Sequence, residues 1–241
     1  MNRQTLVVGA TGGIGKALVA ALIERGDKVI AVSRGRDIDD TWPEAVTSYR
    51  LKSHTDENIG TLINHLHQNK VKISLAVVTT GILHDEDYPV SPEKRLEDID
   101  ENALLRYFAV NSIIPGLWLK HLIRVMDKGQ PTLVCLSARV GSISDNKLGG
   151  WYGYRASKAA LNMLLKTASV EYARRLRQPL LVSYHPGTVD TALSHPFQRN
   201  VKPDKLFTPT FTARQLLQHI ATLDRQQPCH YIDWEGKVVT W

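Results

Sequence analysis

Tyr154 and Lys158 stand four residues apart in "GGWYGYRASKAALNMLLK", Gly149 to Lys166, where a glycine-rich segment passes into an Ala/Leu-rich run. On a helix that spacing puts both on one face, within reach of a common ligand. A phenol at its ordinary pKa of about 10 is a poor proton shuttle at neutral pH, but a neighbouring ammonium favours the phenolate and lowers that value. Such a tyrosine can protonate an alkoxide or deprotonate an alcohol, the proton half of a carbonyl–alcohol interconversion. The spacing alone fits a structural aromatic/lysine pair better than catalysis, so the reading depends on what else the chain supplies.

It supplies a glycine turn. Directly after a first apolar run comes "VGATGGIGKAL", with Gly9, Gly13 and Gly15 spaced GxxxGxG at a strand-to-helix junction and Thr11, Gly12 and Ile14 between them. Glycine there permits a tight turn and close backbone approach, while the free N–H groups and dipole of the following helix attract a pyrophosphate. The other half of the chemistry, hydride transfer, then belongs to a dinucleotide that performs the redox step. At the end of the second strand, where the adenosine ribose is expected, the chain reads "AVSRGRD". No carboxylate occupies Ser33 or Arg34. A hydroxyl and a guanidinium there, with Arg36 close by, suit a 2′-phosphate, so NADP(H) is favoured over NAD(H).

The elements that must hold these groups are legible as an alternation. Short β-branched runs, "TLVVGA", "DKVIAVS", "SYRL", "ISLAVVT", "PTLVCLS" and "PLLVSYH", are interleaved with helical patterns over 13–25, 56–69, a long one over 99–126, and one after Trp151. Six nearly continuous apolar strands predict a parallel sheet covered on both faces, a doubly wound α/β Rossmann fold, with a seventh short strand near "CHYID". The 241 residues, 43% hydrophobic, suit a single NAD(P)-binding domain spanning 1–241. Irregular stretches at 85–98 and 194–209 follow strand ends where such folds bind ligands, and 190–209 is the expected substrate-binding loop region.

No apolar run approaches the roughly 18 residues of a membrane span, and the start "MNRQTLVVGA" is too short in its apolar part for a signal sequence, so a soluble, cytoplasmic protein without a membrane partner is expected. Cys135 and Cys229 lack metal or disulfide spacing and read as buried small hydrophobes. The net charge of +6 is scattered rather than blocked, which fits a phosphorylated cofactor as well as nucleic acid; no nucleic-acid partner is expected. His65 and His67 read as a solvated helix face, and His84, Asp85, Glu86 and Asp87 as a charged loop; no metal is expected.

Taken together, "GATGGIG", "VNSIIPG" (110–116), "LSARVGS" (136–142), "YRASKAAL" (154–161) and "HPGTVDT" (185–191) resemble the short-chain dehydrogenase/reductase family in order and separation over nearly the whole chain. Within it, "LSARVGSISDNKLGGWYGYRASKAALN", "KLFTP" and "DWEGKVVTW" look most like the C-factor-like and sniffer-like carbonyl reductases. The resemblance implies Tyr154 as acid/base, Lys158 on the nicotinamide ribose and lowering the tyrosine pKa, and Asn111 holding a water in a proton relay. It implies Pro186, Gly187, Val189 and Thr191 over the nicotinamide, with its carboxamide on the Val189 backbone and the Thr191 hydroxyl. It also implies a homodimer or homotetramer through the Asn111 and Tyr154 helices, acting on a small carbonyl or alcohol.

Three departures stand out. The family's catalytic serine falls three residues before the glycine matching Gly141, and that register lands on Ala138; Ser137 is preferred in its place, with Ser142 the alternative. After the fourth strand "VTTG" replaces the usual Asn-Asn-Ala-Gly, leaving Gly81 and a threonine hydroxyl for the cofactor. Pro115, four residues after Asn111, denies the Asn111 carbonyl its helical donor, which predicts a kink at the proline and an ordered water linking that carbonyl to Lys158. The leading expectation is an NADPH-dependent carbonyl reductase; the alternative is a dinucleotide-binding signalling or regulatory protein with little catalysis.

Overall fold

The apolar runs form the expected strands: β1 (Gln4–Val8), β2 (Lys28–Ser33), β3 (Val46–Arg50), β4 (Leu75–Val78), β5 (Thr132–Leu136) and β6 (Leu180–His185). In this computed structural model, which describes residues 3–35, 42–85, 88 and 90–241, they are parallel neighbours in the order β3-β2-β1-β4-β5-β6. The sheet is completed by Cys229–Asp233, the seventh strand expected near "CHYID", parallel to β6 with Leu181 opposite Cys229. Alternate residues of each strand enter opposite cores. Leu6 and Val8 face the helices α2 (Asp56–Gln68), α4 (Ile114–Leu122) and α5 (Tyr152–Arg175), while Val7 faces α1 (Gly13–Glu24) and a last helix, α6 (Pro209–Thr222). Burial on both faces is why these strands read as continuous apolar runs.

Three elements escaped the periodicity. α6 has a short apolar stripe, yet it carries an ordinary start signal, Thr208 accepting from Phe211 N at 3.1 Å with Pro209 following. Between β6 and α6 lie β7 (Thr188–Val189) and β8 (Leu206–Phe207), paired in parallel apart from the main sheet. The final strand Cys229–Asp233 is therefore β9 in chain order.

The single helix expected over 99–126 is broken. A helical turn at Leu96–Asp98 precedes α3 (Glu101–Phe108), then a π-helical turn spans Ala109–Ile113 before α4. The irregularity thus lies ahead of Pro115 rather than at it. Ile114 N donates to Ala109 O, and Pro115, the second residue of α4, follows the π-helical turn with no break in the helical backbone, so its missing N–H leaves a main-chain carbonyl of that turn without its usual donor.

All seven strands point their C-terminal ends to one edge. The order changes direction between β1 and β4, the place where an open α/β sheet leaves a crevice.

Candidate active site

The glycine turn sits at that crevice. Gly9 has φ +81°, which favours glycine, and a Cβ on it would collide with Thr79 Oγ1; a Cβ on Gly15 would collide with the Gly9 carbonyl. Gly12 precedes α1 with no side-chain cap, and no acidic residue lies in the first helical turn, so the N-terminal N–H groups face the crevice without a local acceptor. Gly13 is closed over from the far end of the chain: a Cβ there would stand 2.6 Å from Thr191 Cγ2. The structure therefore brings the turn and the "HPGTVDT" loop together. In that loop Gly187 has φ +74°, Val189 is buried, and Thr191 Oγ1 donates to Val189 O at 3.3 Å.

The two threonines after β4 divide their work. Thr79 Oγ1 donates to Val8 O at 2.8 Å and ties β4 to the glycine turn, whereas Thr80 Oγ1 is buried with no hydrogen-bond partner among the described residues. Ser33 Oγ, at the end of β2, is likewise buried and unpartnered. Orphaned hydroxyls are rare in interiors, and two lining one crevice beside uncapped helix N–H groups fit the polar edges of a dinucleotide. Arg34 is exposed beside Ser33. The side chain of Arg50, paired through β3 with Ser33, lies across Gly35, so two guanidinium-bearing residues flank the end of β2. Arg36 lies outside the described residues.

Tyr154 and Lys158 are buried in the first turns of α5, 8% and 3% exposed. Lys158 Nζ donates to Leu136 O at 2.9 Å and stands 5.8 Å from the centre of the Tyr154 ring. Burial dominates both groups. It pushes the Tyr154 phenol well above its ordinary value, the Tyr231 phenol adding in the same sense, and pulls Lys158 down to about 8. The expected lowering of the tyrosine by the ammonium is thus overridden by desolvation in the protein alone, and Tyr154 is held in its proton-donating form. Gly141 lets the turn after β5 lie on α5, since a Cβ there would stand 2.8 Å from Lys158 Cβ.

Asn111 is fully buried in the π-helical turn. Its Oδ1 accepts from Ile82 N at 2.8 Å, and its Nδ2 donates to Ile82 O and Ser157 Oγ, each at 3.0 Å. A Cβ on Gly81 would stand 3.2 Å from Lys158 Nζ and 3.4 Å from Asn111 Oδ1, so Gly81, Asn111 and Lys158 converge.

Neither serine joins them. Ser137 Oγ donates to Asn162 Oδ1 at 2.7 Å, which also accepts from Ser183 Oγ at 2.5 Å. Ser142 Oγ accepts from Asp145 N at 3.1 Å and lies 3.4 Å from Thr240 Oγ1, toward the C-terminal segment. The residue that packs in one apolar cluster with Tyr154 is Ala138, together with Leu83, Val90, Ala103 and Tyr107. Successive side chains of an extended strand alternate, so a hydroxyl at 137 and a methyl at 138 must face opposite ways.

The loop expected to hold substrate contributes an aromatic wall. Phe197, in the helical turn His195–Asn200, meets Trp151 edge-on at 5.5 Å, and Trp151 meets Tyr154 at 6.1 Å. His84 Nε2 donates to Ala192 O at 3.1 Å and ties the β4 loop to this one; Glu86 and Asp87 lie outside the described residues. His65 and His67 are exposed on α2, both cysteines are free and buried, and no metal-binding group of side chains occurs among the described residues. No helix among them is long and apolar enough to cross a membrane. Sequence reasoning missed Arg50, Ala138 as the neighbour of Tyr154, and a buried Glu93. Only Arg50 carried a signal, as a basic residue ending the strand next to Ser33.

Comparison with known proteins gives a consistent picture. A sequence profile of the family described as short chain dehydrogenase matches residues 3–202. The chain is 25% identical over 236 residues to 1-hydroxy-2-glutathionyl-2-methyl-3-butene dehydrogenase of Rhodococcus sp. (strain AD45), covering 98% of each protein. It is 30% identical over 147 residues to the C-signal of Myxococcus xanthus, 61% of this chain and 83% of that one. Among solved structures, a short-chain dehydrogenase/reductase from Burkholderia multivorans with bound NADP superposes with a TM-score of 0.84 at 22% identity. The carbonyl reductase Sniffer of D. melanogaster does so with 0.84 at 20%; both matches cover the whole of both chains. At these identities the two structures speak for the fold.

Proposed function

Because the chain belongs to the short-chain dehydrogenase family of NAD(P)-dependent oxidoreductases, we propose that it is an NADPH-dependent reductase of small carbonyl compounds, with Tyr154 as the proton donor. The observation that carries this reading is the buried Tyr154, kept protonated, one turn from Lys158, whose Nζ converges with Gly81 and Asn111. When bound, NADPH supplies the hydride that the carbonyl carbon accepts. The turn from Gly9 to Gly15 and the start of α1 would hold its pyrophosphate, Ser33, Arg34 and Arg50 its 2′-phosphate, Thr80 and Gly81 its ribose side, and Pro186 to Thr191 the nicotinamide end.

Tyr154 gives its phenolic proton to the carbonyl oxygen, leaving an alcohol and a phenolate. Lys158, with its pKa near 8, is matched to return a proton at neutral pH. The Asn111 side chain is committed to Ile82 and Ser157. Its main-chain carbonyl, which Pro115 cannot serve, is the group we assign to a relay water. With Ala138 beside Tyr154, the phenol alone polarises the carbonyl, and Ser137 acts through Asn162 on the frame of the site. Trp151 and Phe197 favour an apolar or aromatic substrate held by 190–209. Exposed Leu105, Ile113, Met163, Leu164 and Val170 on the Asn111 and Tyr154 helices support a homo-oligomer.

The alternative, a dinucleotide-binding regulator, draws on the likeness to the C-signal and on Ala138. Fluorescence titration with NADPH, followed by turnover on aliphatic and aryl ketones and aldehydes, separates them. Binding with turnover is the expected result; tight binding with no turnover across the panel supports the regulator.

A further inference from the structure

α5 begins without a cap of its own. Trp151 precedes it in the left-handed region (φ 54°), after Gly149 and Gly150 at φ 66° and 65°, and no side chain of this segment accepts from the first helical N–H groups. Those groups have no intrahelical acceptor and need one from elsewhere. They find it in Glu93, which lies 60 residues before Gly153 in the segment after β4. The Glu93 main-chain carbonyl accepts from Trp151 N at 2.5 Å, and its carboxylate oxygens accept from Gly153 N at 3.2 and 3.1 Å.

This carboxylate is 3% exposed and forms no ion pair among the described residues. A buried charge is costly unless it is hydrogen-bonded, and a helix N-terminus offers both the N–H and a favourable dipole. Close packing confirms how tightly the position is defined. A Cβ on Gly153 would stand 2.7 Å from Glu93 Oε1 and 2.5 Å from Tyr107 Cδ2, so only glycine admits the carboxylate. Tyr107 in turn meets Tyr154 edge-on at 6.2 Å and donates to Leu83 O at 2.7 Å. A Ser, Thr or Asp at position 151 would cap the helix locally. The remote cap does something a local one cannot: it joins the segment after β4 to the turn that carries Tyr154, the residue next to Gly153.

We propose that Glu93 is a positioning residue, which caps the catalytic helix from the loop after β4 and so fixes the place of the Tyr154 hydroxyl relative to that loop. This rests on Tyr154 being the proton donor. Misplacing a reacting group by about 1 Å costs on the order of 10²-fold in rate.

In the full-length protein, Glu93→Ala is expected to lower kcat for carbonyl reduction by roughly 10- to 100-fold while the NADPH dissociation constant stays within about two-fold. Glu93→Gln, which keeps an acceptor for Gly153 N–H in the same volume, restores kcat to within about three-fold of the unmutated protein. Amide exchange at 152–156 quickens in Glu93→Ala and not in Glu93→Gln. Should Glu93→Ala fail to fold, Glu93→Asp, which withdraws the acceptor by one methylene, shows the same fall in kcat at unchanged NADPH affinity. Unchanged kcat in the Ala or Asp variant, equal losses in Gln and Ala, or a parallel loss of kcat and NADPH affinity would overturn the proposal. Failure of the underlying reading looks different: the unmutated protein is then no faster than Tyr154→Phe.

Discussion

The Ser137 hydroxyl donates to Asn162 Oδ1 over 2.7 Å, and that bond turns the serine into the frame of the site while Ala138 packs in one apolar cluster with Tyr154. Ser137→Ala should therefore lower stability by about 1 kcal/mol, because Ser183 still donates to Asn162, and leave kcat within about three-fold. Ala138→Ser should raise kcat by adding a donor next to the phenol. Thermal unfolding and steady-state NADPH oxidation on both variants check this; a large kcat loss in Ser137→Ala with an unchanged melting point would count against it.

Selectivity for the phosphorylated dinucleotide should reside at the ends of β2 and β3. Charge-assisted hydrogen bonds contribute about 1.5–3 kcal/mol, so Arg34→Ala or Arg50→Ala should weaken NADPH binding by roughly 10- to 100-fold. NADH affinity should hardly move. Titrations with both dinucleotides read this directly, and equal weakening of the two would place the arginines away from the 2′-phosphate.

Acid should destabilise the fold through buried imidazoles. Burial, with Arg34 adding for His54 and Arg139 for His185, pulls both down to about 4. The unfolded chain takes up protons near pH 6.5 that the native state refuses, so stability is present above that value and is lost as pH falls toward 4. His185 Nδ1 has no partner among the described residues, so His185→Asn should flatten this slope without cost to a hydrogen bond of that atom. Melting points between pH 4.5 and 7 for the two proteins test the sign; parallel curves would contradict it.

Much of this was legible in the sequence, for identifiable reasons. Strands buried on both faces appear as apolar runs, and a glycine turn between a strand and a helix has few other uses, so the sheet, the crevice and the Tyr154/Lys158 helix could be placed. The broken helix over 99–126 could not, because a π-helical turn keeps the apolar pattern of an α-helix while shifting its phase. The orientation of Ser137 could not be read for a simpler reason: a sequence shows that two neighbouring residues follow a strand, not which of them faces Tyr154. Glu93 gave no signal at all, since its partner Gly153 is 60 residues away.

Tyr154 is the residue on which the account depends. Its direct test is the rate of NADPH oxidation with a panel of aliphatic and aryl carbonyl compounds, compared between the unmutated protein and Tyr154→Phe, with NADPH affinity measured alongside. Loss of a positioned general acid costs about 10²- to 10⁴-fold, so the variant should lose at least roughly 10²-fold in kcat while binding NADPH as before. Equal rates in the two proteins would contradict the assignment.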